Sequence, residues 1–293
     1  MTISTRGFKA DMTNTQPLKV ALPNKGSLAE SASQILKEAG YRQRNDVRDL
    51  AFIDPDNGVE FYYLRPRDIA TYVGSGELAI GITGRDLLED SNADACEILG
   101  LDFGKSTFRF ASIPGRSELS GSRIATAYPT LVRGFLESKK INATIVGLDG
   151  AVESAIRLGV ADVIADVVST GGTLKQAGLE VFGDPILTSE AILIERRGSI
   201  RDSKIDTLIR RINGVVIARQ YVLVDYDVPK SSLEKACELT PGLESPTISP
   251  LQKPEWVAVR AMVKRNDVHA VMDQLWEVGA RGILVTDIHS CRL

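Results

Sequence analysis

Histidine and cysteine are scarce in this chain, with two and three residues respectively. His269 and His289 have no metal-ligand spacing with each other or with a cysteine. Cys96, Cys237 and Cys291 form neither a CxxC pair nor a disulfide framework, which fits a reducing cytosol and makes the sequon Asn142-Ala143-Thr144 incidental. These shortages argue against covalent catalysis and against a His/Cys metal centre. No apolar run approaches the roughly 20 residues of a membrane helix. A net charge of -3 leaves no broad basic field to hold a nucleic-acid polymer. Met1 to Pro17 is polar and lacks an apolar signal core, so a flexible tail is expected there. Familiar phosphate loops are missing too. No dinucleotide glycine fingerprint occurs, and Gly100 to Ser106 falls one residue short of the spacing of a P-loop.

What remains is an ordinary soluble composition, 43% hydrophobic and 25% charged over 293 residues, enough for two or three domains. The first segment, about 18–106, opens with the strand Leu18 to Leu22. A loop, Pro23-Asn24-Lys25-Gly26, leads to a helix with Leu28, Ala32, Ile35, Leu36 and Ala39 at helical spacing. Further strands are expected at Val59 to Leu64 and Leu78 to Thr83, with a helix near Pro66 to Val73 between them. Strand-helix-strand order with apolar strands implies a parallel α/β sheet. The second segment, about 107–185, repeats the plan. Strands are expected at 107–113, 123–126, 143–148 and 162–168, and helices near Pro129 and Ala151. Two similar lobes suggest a clamshell with a ligand cleft at the carboxyl ends of the strands. Residues Phe182 to Glu195 run back to the first lobe, the return segment spanning about 186–200. From residue 201 to 293 a C-terminal domain is expected, with a short helix leading into a βαββαβ ferredoxin-like module.

Chemistry concentrates in Ala165 to Leu174. An apolar strand gives way to a turn with hydroxyls at Ser169, Thr170 and Thr173. Gly171 and Gly172 let backbone amides approach an anion. Asp166 precedes the turn, and Asp162 lies four residues earlier on the strand. A carboxylate beside such a nest suits a sugar phosphate with a pyrophosphate leaving group, with Mg²⁺ as the expected cofactor. A plain strand-turn-helix with a capping hydroxyl has the same composition.

These residues resemble the phosphoribosyl-pyrophosphate loop of the ATP phosphoribosyltransferases. The likeness also takes in Pro23-Asn24-Lys25-Gly26, Leu64-Arg65-Pro66-Arg67-Asp68, Gly81-Ile82-Thr83-Gly84-Arg85-Asp86, Arg123 to Pro129, Asp149 to Glu153 and Pro241 to Thr247. Each is a weak signal alone; their common order is specific. The resemblance implies an α/β fold with a two-lobed, periplasmic-binding-protein-like catalytic unit and a C-terminal ferredoxin-like (ACT-like) α+β domain. It implies a long-form enzyme that joins phosphoribosyl pyrophosphate to N1 of ATP, releases pyrophosphate and is inhibited by histidine. It further implies a cytoplasmic homo-oligomer, dimer or hexamer. Asp166, Glu153 and Asp162 are the implied catalytic carboxylates. Residues Asp166 and Ser169 to Leu174 would bind phosphoribosyl pyrophosphate. Lys25, Gly26, Arg65, Thr83, Gly84 and Tyr128 would face ATP. Asp227, Leu243, Thr247 and Gly282 would form the histidine site, although Asp227 before Pro229 also suits a simple helix-terminal charge. Two other readings stand beside this one: a bilobal binder that does no chemistry, and an amino-acid sensor built on the C-terminal module.

Overall fold

A computed structural model describes residues 16–169 and 171–292. The expected tail therefore lies outside the described residues up to position 15, and so does Thr170 of the loop. The first lobe contains β1 (Leu18–Pro23), α1 (Ser27–Glu38), β2 (Ala51–Asp54), β3 (Val59–Leu64), α2 (Pro66–Gly74), β4 (Ile80–Gly84), α3 (Arg85–Ser91) and β5 (Ala95–Gly100). The second contains β6 (Ser106–Ser112), β7 (Arg123–Thr126), α4 (Pro129–Lys139), β8 (Thr144–Gly147), α5 (Ser154–Arg157), β9 (Val163–Val168), α6 (Gly172–Gln176) and β10 (Glu180–Ser189). The chain then returns through β11 (Ala191–Arg196) and α7 (Ser203–Gln220). Last come β12 (Tyr221–Pro229), α8 (Leu233–Leu239), β13 (Thr247–Pro250), β14 (Trp256–Lys264), α9 (Val268–Glu277) and β15 (Arg281–Asp287).

Three sheets result, in the orders β2-β3-β1-β4-β11-β5, β10-β6-β9-β7-β8 and β13-β14-β12-β15. The expected two-lobed α/β unit with a ferredoxin-like module is the observed architecture. The first two sheets have parallel centres, β3-β1-β4 and β9-β7-β8, flanked by antiparallel strands. The third sheet is antiparallel throughout. Apolar strands sit centrally because both faces are covered: β1 and β4 are almost wholly buried. Pro66 and Pro129 start α2 and α4 at positions where the missing N–H costs nothing. Helix α2 buries Ile69, Ala70 and Val73 against β1 and β11. Each large aliphatic residue so buried contributes about 1.5–3 kcal/mol.

Helix α7 corrects the expected boundary at residue 201. Its Ile205, Leu208, Ile212 and Val215 lie in one core with Val20, Ile35 and Ile80. Amphipathic spacing alone does not say which sheet a helix covers, and here it covers the first lobe. The C-terminal module starts only at Tyr221, and its own core forms around Val224, Tyr226, Val259 and Leu275. The return point also differs. Strand β10 stays in the second sheet as far as Ser189, and the chain re-enters the first sheet at Ala191. Strands β2 and β5 and helix α3 were not expected, since short strands without alternation carry little periodic signal.

The module is also clipped to the first lobe. The Cys291 amide donates to the Gly214 carbonyl in mid-α7 (3.2 Å), and a Cβ at Gly214 would overlap the Cys291 carbonyl oxygen. Among the described residues, no helix is long and apolar enough to cross a membrane.

Candidate active site between the lobes

The chain passes between the lobes twice, at Leu101–Lys105 and at Ser189–Glu190, and the two crossings lie side by side. Leu101 donates its amide to the Ala191 carbonyl and Ala191 donates to that of Phe103, both at 2.9 Å. Glu190 binds this hinge further by accepting from the Asp102 amide (3.1 Å) and from Arg85 (3.0 Å). A cleft of about 410 Å³ opens above it. The first lobe lines it with Lys25, Gly26, Pro66, Gly84 and Asp86; the second lobe contributes Tyr128, Val167 and Ser169. Lys105, Ser106, Ser189 and Glu190 form the floor. Strand β1 delivers Lys25, β4 delivers Gly84 and β9 delivers Ser169, so the cleft lies at the carboxyl ends of parallel strands from both sheets.

The electrostatics of the cleft are those of a cation and anion site combined. Asp166, near the end of β9, accepts from the Val167 amide at 2.8 Å. Burial raises its pKa above the usual carboxylate range, and the Glu153 and Asp86 carboxylates push it the same way against the Val167 amide. Asp86 comes from the other lobe, where Ser189 donates a hydroxyl to it at 2.6 Å. The Tyr128 phenol is pushed well above its usual range, first by burial and then by the Asp86 and Asp166 carboxylates. It is therefore a neutral ring at physiological pH. The carboxylates of Asp166 and Glu153 on one lobe and Asp86 on the other thus raise the negative charge on both sides of the cleft. Asp166 and Glu153 are oxygen ligands of the kind a hard divalent cation takes. No group of three or more ligand-type side chains stands ready for a metal among the described residues.

The loop after β9 has the conformation its glycines foreshadow. Gly171 sits at φ 71°, the left-handed region, and α6 begins at the next residue. The nearest atom to a Cβ built there would be Val168 Cγ1 at 3.8 Å, so dihedral preference rather than space calls for glycine. The amides of Gly172, Thr173 and Leu174 open α6 and have no intrahelical acceptor by helix geometry. With five residues, α6 adds little dipole, so any attraction for an anion would come from these open amides.

Of the residues singled out from sequence, the cleft lining brings together Lys25, Gly26, Gly84, Tyr128 and Ser169, with Asp166 and Glu153 behind them. The assignments of Asp162 and Thr83 need correction, and the side chains of Leu174 and Arg65 also lie outside the cleft lining. Asp162 stands before β9, at the end opposite the loop, where its carboxylate accepts from the Arg123 amide (3.0 Å) and guanidinium (3.1 Å). The Arg123 hydrogen bonds hold its pKa down at about 2. It is a structural residue about four strand positions, or roughly 13 Å, from Asp166. Thr83 is fully buried and donates its hydroxyl to the Pro66 carbonyl at 2.8 Å, leaving Gly84 alone at the cleft. The Leu174 side chain packs in the second lobe's core with Ala155 and Ile164, so only its backbone can serve a ligand. Arg65 is exposed at the start of α2 and outside the lining. Asp86, Ser189 and Glu190 were missed. Asp86 stands in the quoted Gly81 to Asp86 run, whereas Ser189 and Glu190 gain their place only from the crossover.

In the C-terminal module, the four implied effector residues divide. A Cβ at Gly282 would come within 3.7 Å of Asp227 Oδ2, so these two meet directly. Register through β14 puts Thr247 on the same exposed sheet face as Asp227, two strands away. Leu243 is 40% exposed in the loop before β13.

A family model described as ATP phosphoribosyltransferase matches residues 65–214, and one described as HisG, C-terminal domain, matches residues 218–290. An ATP phosphoribosyltransferase of Pseudarthrobacter chlorophenolicus is 59% identical over 283 residues, covering 94% of this chain and 100% of that relative. Its counterpart in Mycobacterium tuberculosis is 56% identical over 282 residues, covering 94% and 99%. A solved ATP phosphoribosyl transferase (HisG:HisZ) complex from Thermotoga maritima contains a chain 29% identical, with a TM-score of 0.58. The match covers 67% of this chain and 98% of that one.

Proposed function

The chain belongs to the ATP phosphoribosyltransferase family as a long-form enzyme of the first step of histidine biosynthesis, and from that premise we propose how its cleft works. The readings as a binder without chemistry and as a free-standing sensor give way to that membership. The phosphoribosyl group of phosphoribosyl pyrophosphate passes to N1 of ATP. The bond from ribose C1 to the pyrophosphate oxygen breaks with its electron pair leaving on pyrophosphate, and N1 bonds to C1, giving phosphoribosyl-ATP.

One observation carries this reading: Lys25, Gly84 and Asp86 from one lobe face Tyr128, Ser169 and Asp166 from the other across a single cleft. The Ser169 and Thr173 hydroxyls and the amides of Gly171 to Leu174 bind phosphate oxygens. Asp166, destabilised as an anion when the cleft is empty, regains that cost as the ribose becomes cation-like, which favours the transition state over the ground state. Glu153 steadies the same region. Glu153 and Asp166 would hold Mg²⁺ if it arrives with the pyrophosphate, and the ion would then supply positive charge for the departing group. Lys25, Gly26 and the neutral Tyr128 ring hold the ATP side. Histidine binds the C-terminal module near Asp227 and Gly282 and inhibits. The enzyme works in the cytoplasm as a homo-oligomer, a dimer in exchange with a hexamer.

Mixing the protein with ATP, phosphoribosyl pyrophosphate and Mg²⁺ is expected to release pyrophosphate, and histidine is expected to suppress the release. Absence of pyrophosphate would overturn the reaction. Activity indifferent to histidine and to Mg²⁺ would overturn those two assignments separately.

A further inference from the structure

Helix α4 starts Tyr128-Pro129-Thr130-Leu131, and no local side chain caps it. A helix start leaves four backbone positions without intrahelical acceptors. The Tyr128 amide donates to Thr126 Oγ1 at 3.0 Å. Pro129 has no amide to satisfy. The amides of Thr130 and Leu131 donate to Asp90 Oδ1, at 2.9 and 3.1 Å. Asp90 belongs to α3 of the other lobe. The cap of this helix is thus supplied across the cleft, by a carboxylate whose side chain is only 6% exposed. The second oxygen, Oδ2, accepts from Arg67 at 2.8 Å. The Arg67 guanidinium in turn stands 4.8 Å from the centroid of the Tyr128 ring. One buried carboxylate therefore ties α2 and α3 of the first lobe to both the backbone and the ring at the start of α4.

We propose that Asp90 is a positioning residue that sets the spacing of the two lobes and holds Tyr128 in the wall of the cleft. It lies outside the cleft lining and acts through Tyr128. A side chain of α4 could have capped the helix locally; capping it from the other lobe makes the cap conditional on closure. If the lobes part, both amides lose their acceptor and Asp90 keeps only Arg67. The phosphoribosyl-pyrophosphate loop is built on β9 and α6 within one lobe. The ATP side draws on Lys25 and Gly84 from one lobe and Tyr128 from the other, so it depends on registration between lobes. The ATP part of this inference rests on the functional reading above; the cap itself does not.

The test compares the full-length wild type with Asp90→Ala, Asp90→Asn and the exposed-neighbour control Glu89→Ala. In Asp90→Ala, amide hydrogen exchange at the start of α4 should quicken about tenfold, the size of a lost helix cap. The KM for ATP should rise by about as much, while that for phosphoribosyl pyrophosphate stays within about threefold. Asp90→Asn retains an acceptor oxygen but not the charge on Arg67. It should keep α4 exchange near wild type and raise the ATP KM only about threefold. Unchanged α4 exchange in Asp90→Ala, an equal rise in both KM values, or no difference between the Asn and Ala variants would overturn the proposal. Should Asp90→Ala not fold, an unchanged ATP KM in Asp90→Asn overturns it. A wild type that releases no pyrophosphate refutes the functional reading instead, and α4 exchange still decides the cap.

Discussion

Replacing Asp166 with Asn separates the cost of this carboxylate to the fold from its service to the reaction. Asn is nearly isosteric, and its amide oxygen can keep the 2.8 Å bond from the Val167 amide. What is lost is one negative charge. Two unit charges about 4 Å apart interact by about 4 kcal/mol at an effective dielectric of about 20. A ribose carrying about half a positive charge at the transition state then loses about 2 kcal/mol, or roughly thirtyfold in kcat. Stability should move the other way. Burial, reinforced by Glu153 and Asp86, raises the folded-state pKa above its ordinary 3.8. Between these two values the folded protein binds more protons than the unfolded chain, so stability falls as pH rises through that window and the penalty persists at neutral pH. Asp166→Asn removes the penalty. Its Tm should equal or exceed that of wild type at neutral pH, with the difference vanishing as pH falls below 3.8. Steady-state pyrophosphate release and thermal melts across pH measure both quantities. A kcat within about threefold of wild type, or a rise in KM alone, would refute the transition-state role. A lower Tm at neutral pH would refute the burial argument.

Three further outcomes follow from the same geometry. Gly171→Ala should weaken phosphoribosyl pyrophosphate binding by about 1–2 kcal/mol through its left-handed backbone, with Gly171→Asn milder, as isothermal titration would measure. Asp162→Ala should lower the Tm yet leave kcat unchanged. The Asp162 contribution is present above the ordinary 3.8 and lost as pH falls towards about 2, so the Tm gap should close in acid. Asp227→Ala should blunt inhibition in a histidine titration while catalysis persists; coupling between such sites is typically about 1–3 kcal/mol, and superimposable curves would exclude this residue from the effector site.

Legibility was uneven along the chain. The conformation of the turn after Asp166 could be read because it depends on local backbone: a left-handed Gly171 stands directly before the open amides of α6. Asp162 misled because strand periodicity places it on the same side as Asp166, but it stands before the strand begins. There the amide and guanidinium of Arg123, brought by β7, capture its carboxylate. Thr83 misled because a hydroxyl beside a glycine looks like a ligand group, yet the Pro66 carbonyl uses it.

The alternation and runs of apolar residues determined β1, β3, β4, β6, β7, β8 and β9 of the two lobes and the βαββαβ order of the module, because a side chain's face follows from its position in a strand or helix. Proline at the first turn of α2 and α4 marked those helix starts for an equally local reason. Tertiary structure alone decided that α7 belongs to the first lobe, that Ser189 and Glu190 floor the cleft, and that Asp86 faces Asp166. It alone placed the cap of α4 on Asp90, 40 residues earlier. Each of these depends on which elements meet across the two crossovers. Burial and charge act through space, and their partners stand far apart along the chain.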